Sequence, residues 1–180
     1  DIQLHCTTDD HKPIVYSAPI VVLALHHNAL QHIDGVRTYP ILKQLCMEPL
    51  LRMYAIFPVK KGISWFSGML HTVTDSPIRY IIPIDSSRGI VMISYTDGDD
   101  ARYWMKQHHG TWEHVQKKVM HDIRKLFPNR TIPDPIYFKA HEWRSGCTYW
   151  LPGTYDVKEA SQQSLHPMPE TFPGLFMCGE

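Results

Sequence analysis

The chain lacks several features that would assign it quickly. It has no run of Lys or Arg, and its 18 basic residues balance 18 acidic ones. A nucleic-acid or anionic-membrane partner normally needs a basic patch, so composition supports neither. The four cysteines, Cys6, Cys46, Cys147 and Cys178, are scattered with no C-x-x-C pair. That excludes a disulfide framework and favours a reducing, cytoplasmic or otherwise intracellular compartment, with the location itself left open. No apolar run reaches the ~18 residues of a membrane span. The longest, Ile14 to Leu25, is interrupted by Ser17 and Pro19. No signal peptide precedes the first strand. The chain opens on Asp1, so we expect its true N-terminus to be missing.

Other absences exclude chemistries. No G-x-S-x-G elbow occurs, which argues against a serine hydrolase. Asp97, Asp99 and Asp100 resemble the start of a calcium loop, but no glutamate closes it. They read instead as a solvated turn and helix cap. Twelve histidines are present. The adjacent pairs His26/His27 and His108/His109 diverge on a helix, and His114 and His121 have no third ligand at metal spacing. No metal site is expected.

What remains is the pattern of one α+β domain over residues 1–180, an antiparallel mixed sheet of five to seven strands with helices on one face. Ile2–Thr8 and Ile14–Ser17 read as a hairpin. Pro19–Leu25 predicts a short helix with proline in its first turn, and Pro40–Cys46 another. Leu50–Phe57, Gly68–Thr74, Ile78–Ile84 and Gly89–Tyr95 predict an antiparallel meander. Thr111 caps a helix over 112–127, with Val115, Val119 and Ile123 on its apolar side. Ile136–Trp143 and Cys147–Leu151 read as two strands, residues 156–171 as a loop, and Leu175–Cys178 as a last buried strand.

Four segments, taken in this order, resemble the flavin-containing amine oxidases, the monoamine and polyamine oxidase group. KPIVYSAPIVVLAL (12–25) is similar to a returning strand whose Ala-Pro step opens a helix. LLRMYAIF (50–57), followed by Trp65-Phe66, resembles the strand that carries a lysine holding a water against the flavin N5. Arg52 falls there and is the candidate catalytic residue, although a planar guanidinium cannot occupy the same compact point. YFKAHEWRSGCTYWLPG (137–153) is similar to the stretch lining the flavin face and substrate cavity. GLFMCGE (174–180) resembles the strand whose Gly-Glu step faces the flavin diphosphate.

The resemblance implies site residues. Trp143, Tyr149 and Trp150 would be substrate-binding, because aromatic faces orient an amine and exclude water. Cys147, Gly179 and Glu180 would be cofactor-binding, with Cys147 in a run where the monoamine oxidases link flavin covalently. The cofactor would be FAD, held by a full-length parent and not retained by this chain, which would be inactive alone. The G-x-G-x-x-G dinucleotide motif is absent. The partners implied are a small-molecule amine and the remainder of the chain's own flavin domain, which residues 1–30 and 140–180 would join or border. A desaturase or protoporphyrinogen-oxidase-type relative stays open, as does a non-catalytic binding module.

Overall fold

Alternation and turn chemistry generate most of the elements. The computed structural model describes residues 1–108 and 110–179. In chain order they are β1 (Ile2–Thr7), β2 (Pro13–Ala18), β3 (Val21–Ala24), α1 (His27–Leu30), a 3-10 turn over Pro40–Gln44, and β4 (Leu45–Ile56). There follow β5 (Thr72–Val73), β6 (Tyr80–Asp85), β7 (Ile90–Asp97), α2 (Gly98–Gln107) and α3 (Trp112–Leu126). β8 (Tyr137–Trp150), α4 (Val157–Ser164) and β9 (Leu175–Cys178) complete the chain. They form two compact units, residues 1–47 with 148–180, and residues 48–147.

The 48–147 unit holds most of a five-stranded antiparallel sheet of order β5-β6-β7-β4-β8. On β4, Leu51, Met53 and Ala55 are fully buried and the residues between them are not. That is the period-2 signature of a strand with one covered face. α2 and α3 supply the cover. Trp104 of α2 is fully buried, and its indole N–H donates to the Pro77 carbonyl at 2.6 Å. α3 buries Val115, Val119, Met120 and Ile123 along one stripe, while Glu113 and Lys117 pair on its wet side at 2.9 Å. Spacings of three to five residues keep that stripe on one face.

In the other unit β1 and β2 form the expected hairpin. β3 and β9 pair in parallel, Val21 opposite Leu175 through Ala24 opposite Cys178. Their core is Val21, Leu23, Leu30, Val36, Ile41, Leu42, Ala160 and Leu175. Gly174 admits the close approach of the two segments, since a Cβ there would lie 2.0 Å from the Pro19 carbonyl oxygen.

Three expectations are corrected. Pro19–Leu25 is no helix, because Val21 and Leu23 are buried while Val22 and Ala24 are exposed. The β-branched run takes strand pairing with β9 over a one-turn helix. Residues 156–171 are not all loop. Asp156 accepts from the Glu159 backbone N–H at 2.8 Å and starts α4, a cap the polar composition concealed. Ile136–Trp143 and Cys147–Leu151 are not two strands, since β8 runs unbroken through Ser145-Gly146. Thr111 does hold the N-cap position of α3, though its side chain makes no capping bond.

The turn before β7 gives a test. Gly62 and Gly89 have nearly equal φ, 76° and 74°, in the region that favours glycine. A Cβ at Gly62 meets nothing within 4 Å, whereas one at Gly89 would lie 2.1 Å from the Phe57 carbonyl oxygen. Gly62→Ala should therefore cost only the backbone strain, about 1 kcal/mol. Gly89→Ala should cost about 3 kcal/mol or more. Urea denaturation of the two variants measures the difference.

Candidate functional site

Two surfaces, one in each unit, gather several of the residues singled out from the sequence. The first is the face of the sheet opposite α2 and α3. Burial of Leu51 and Met53 forces Arg52 and Tyr54 to this side. The β4–β7 register sets Arg52 against Tyr95 and Tyr54 against Met92. The Arg52 guanidinium lies 4.9 Å from the Tyr95 ring centre and 5.7 Å from that of Trp143 on β8. His141 follows, its ring 4.0 Å from the Trp143 ring. On the other flank Tyr80 stands 6.0 Å from Tyr95, and His71 stands 5.4 Å from Tyr80. An aromatic row thus runs from His71, beside β5, across β6, β7 and β4 to β8, with the Arg52 guanidinium set into it and that of Arg79 lying 5.9 Å from the Tyr80 ring centre.

Arg52 carries this row's electrostatics. Burial disfavours its charge, but hydrogen bonds to Tyr95 and Tyr54 together outweigh that and hold its pKa above the usual arginine value. The guanidinium is therefore a fixed cation. Its Nε is buried and has no hydrogen-bond partner. A buried donor left unmade is costly, so such an atom calls for an explanation. Trp143 is 37% exposed at the margin of the row. Close by, Gly146 lets β8 lie tight on β4, since a Cβ there would stand 2.3 Å from Leu50 Cβ. Cys147 is half-buried, with its thiol 3.6 Å from the Glu48 carbonyl oxygen.

The second surface is a crevice of about 360 Å³ in the 1–47 and 148–180 unit. Leu25, Met177, Cys178 and Gly179 line it where β3 and β9 end, and Thr148 and Trp150 line it from β8. The carboxyl ends of parallel strands are where α/β folds commonly open a ligand crevice. Gly179 has φ 116°, a conformation that side chains disfavour, and it leaves bare backbone at the rim. Tyr149 points away on the alternate side of the strand, 41% exposed, and does not line the crevice. Trp150 and Gly179 are therefore brought together and Tyr149 is not. Glu180 lies outside the described residues.

His27 also lines this crevice and was not singled out individually from the sequence. It is buried, with Nε2 2.7 Å from the Leu42 carbonyl oxygen and 3.0 Å from Gln31 Nε2. The Leu42 carbonyl only accepts, so we place the proton on Nε2, and the Gln31 amide must then turn its oxygen, not its NH2, toward that nitrogen. Its one sequence signal was the i, i+4 spacing to Gln31 on a short helical turn. Among the described residues no group of three His, Cys, Asp or Glu is placed to hold a metal, and no helix is long and apolar enough to cross a membrane.

The chain belongs to the flavin containing amine oxidoreductase family, whose profile matches residues 2–180. Among solved structures it is similar to a candidate protoporphyrinogen oxidase from Exiguobacterium sp. 255-15, with TM-score 0.72 and 16% identity over 98% of this chain. It is also similar to cyclohexylamine oxidase from Brevibacterium oxydans IH-35A, with TM-score 0.59 and 14% identity over 93% of this chain. At those identities the likeness is one of fold. The chain spans 39% and 38% of the two proteins' lengths. No curated protein matches it.

His27→Ala should leave the Leu42 carbonyl without its donor and open a cavity beside it. The two effects together should cost about 2–4 kcal/mol. A thermal melt of the variant, with the exposed His32→Ala as the neighbouring control, measures this.

Proposed function

We infer that the chain is the substrate-binding part of a flavin-dependent oxidase that acts on an amine. The observation that carries the reading is the aromatic row on the 48–147 unit. Electron-rich ring faces can orient an amine and keep water from it. FAD, when bound to the full-length protein, would accept a hydride equivalent from the carbon next to nitrogen. Oxygen would then be reduced to hydrogen peroxide, and hydrolysis of the oxidised amine would release an aldehyde. On this reading Trp143, with Tyr95 and Tyr54 beside it, shapes the substrate's surroundings.

The crevice suits a flat cofactor edge. Leu25, Met177 and Trp150 are apolar walls, Thr148 offers a hydroxyl, and Gly179 presents backbone with no side chain. These residues would border the flavin. Residues 1–30 and 140–180 would then join or border the flavin domain of the parent. The exposure of the β3–β9 pair supports this, because Val22 is 56% exposed and Phe176 37%. Parallel strands are normally covered on both faces, so further protein is expected over them. The 180 residues alone would not retain FAD and would be inactive. Cys147 is not needed for this reading, and a covalent flavin link through it remains a separate proposal.

Arg52 favours a second reading within the same superfamily. A fixed cation where the amine oxidases resembled here carry lysine suits a desaturase or protoporphyrinogen-type oxidase, whose substrate need not be an amine.

The full-length gene product should be yellow, with absorbance in the blue, and should release peroxide and aldehyde from an amine. Trp150→Ala should weaken its hold on flavin by about tenfold, equivalent to about 1.4 kcal/mol. A yellow product that oxidises only substrates lacking an amine would move the assignment to the second reading. A colourless one would leave a binding module without catalysis.

A further inference from the structure

Three arginines of the 48–147 unit are held by carboxylates. Arg79 pairs with Asp100 at 3.5 Å, Arg102 with Glu48 and with Asp99, and Arg124 with Asp134 at 2.7 Å. Arg52 pairs with no carboxylate among the described residues, although it is the most enclosed of these by its neighbours' rings. Glu48, on the same strand and the same side by alternation, is already engaged by Arg102. Arg52 is only half-buried, but its Nε is out of contact with solvent and has no hydrogen-bond partner, so the face lacks an acceptor for that donor. The tyrosine hydroxyls satisfy part of the guanidinium but supply no opposing charge.

We propose that Arg52 recognises a carboxylate carried by the ligand of this face, joined to an aromatic or other flat apolar body. Three features set the chemistry. The planar fork of arginine matches the two oxygens of a carboxylate, which lysine would meet only as a point charge. Trp143, partly exposed and next to the guanidinium, offers a ring face for a flat group. A simple ammonium-bearing amine would approach a fixed like charge with no carboxylate to screen it, so an amine lacking an acid group fits this face poorly. Assigning the carboxylate to the enzyme's substrate rests on the oxidase reading. Carboxylate binding at Arg52 does not.

Phenylacetate and phenethylamine serve as probes, since both carry a phenyl ring and they bear opposite charges. Each is titrated into the 180-residue chain while the side-chain Nε–H resonance of Arg52 is followed by NMR, assigned by its loss in Arg52→Lys. The expected result is a saturable shift with phenylacetate and none with phenethylamine. Arg52→Gln, followed by tryptophan fluorescence, should weaken phenylacetate binding roughly ten- to hundredfold, the scale of one charged hydrogen-bonded contact. Should Arg52→Gln fail to fold, Arg52→Lys decides, with a several-fold weakening expected because the charge stays and the fork is lost. No saturable phenylacetate shift, equal response to both probes, or unchanged binding in a folded Arg52 variant overturns the proposal. The full-length protein separates the two readings. Flavin with turnover of amines but no carboxylate binding sinks this inference alone. Carboxylate binding in a colourless full-length protein sinks the oxidase reading alone.

Discussion

Because side chains alternate along an extended strand, packing one side of β4 determines what stands on the other. Leu51, Met53 and Ala55 are fully buried against the layer that contains α2 and α3. Arg52 and Tyr54 therefore have no route into that core. A one-residue slip would bury a guanidinium and expose three apolar residues, so the register is strongly specified. Pairing with β7 and β8 then carries the constraint sideways. Tyr95 and Trp143 reach Arg52 from its two flanks for the same reason that Val91 opposes Ala55 in the core. Stability and the candidate site are two faces of one ladder.

The electrostatics follow from that geometry. A guanidinium among rings loses water but gains ring faces and two hydroxyl acceptors. Weak hydration and a delocalised charge make arginine the cation best suited to such a place. The crevice of the other unit has the opposite character. It is mostly apolar, with backbone exposed where Gly179 takes a positive φ, and a histidine whose imidazole is tied to the Leu42 carbonyl. Each unit thus offers a different kind of surface, one cationic and aromatic, the other apolar with bare backbone.

Much of this was legible from residue order. The meander β5–β7, the amphipathic α3, the β1–β2 hairpin and the closing strand follow from periodicity and turn residues. The interest of Arg52, Trp143 and Trp150 came instead from the resemblance of their segments to the amine oxidases. Other points were not legible for identifiable reasons. Pro19–Leu25 presents a proline followed by a short apolar run, which fits a helix start and a buried strand equally well. Only the partner β9, more than 150 residues away in sequence, separates the two. The cap at Asp156 lay in a polar, proline-spaced stretch where capping and turn signals look alike. Tyr149 and Trp150 are neighbours of similar chemistry, and strand alternation sends one to the crevice and the other to the surface.

The amino-acid order by itself determined the chemistry available: a balanced charge, no paired cysteines, an arginine in an apolar strand, and a block of aromatics ending in Pro-Gly. Along β4 from Leu51 to Ala55 it also determined which face is apolar, since that depends on residues two apart. Tertiary structure alone decided which residues meet. Arg52, Tyr95 and Trp143 lie on three strands spread over more than 90 residues, and only hydrogen-bonded register brings them within ring contact. Gly179 acquires its role in the same way, because a glycine lines a crevice only when the parallel partner of its strand ends beside it. Local pattern depends on neighbours a few residues away, whereas a site depends on distances that the folded chain sets between remote ones.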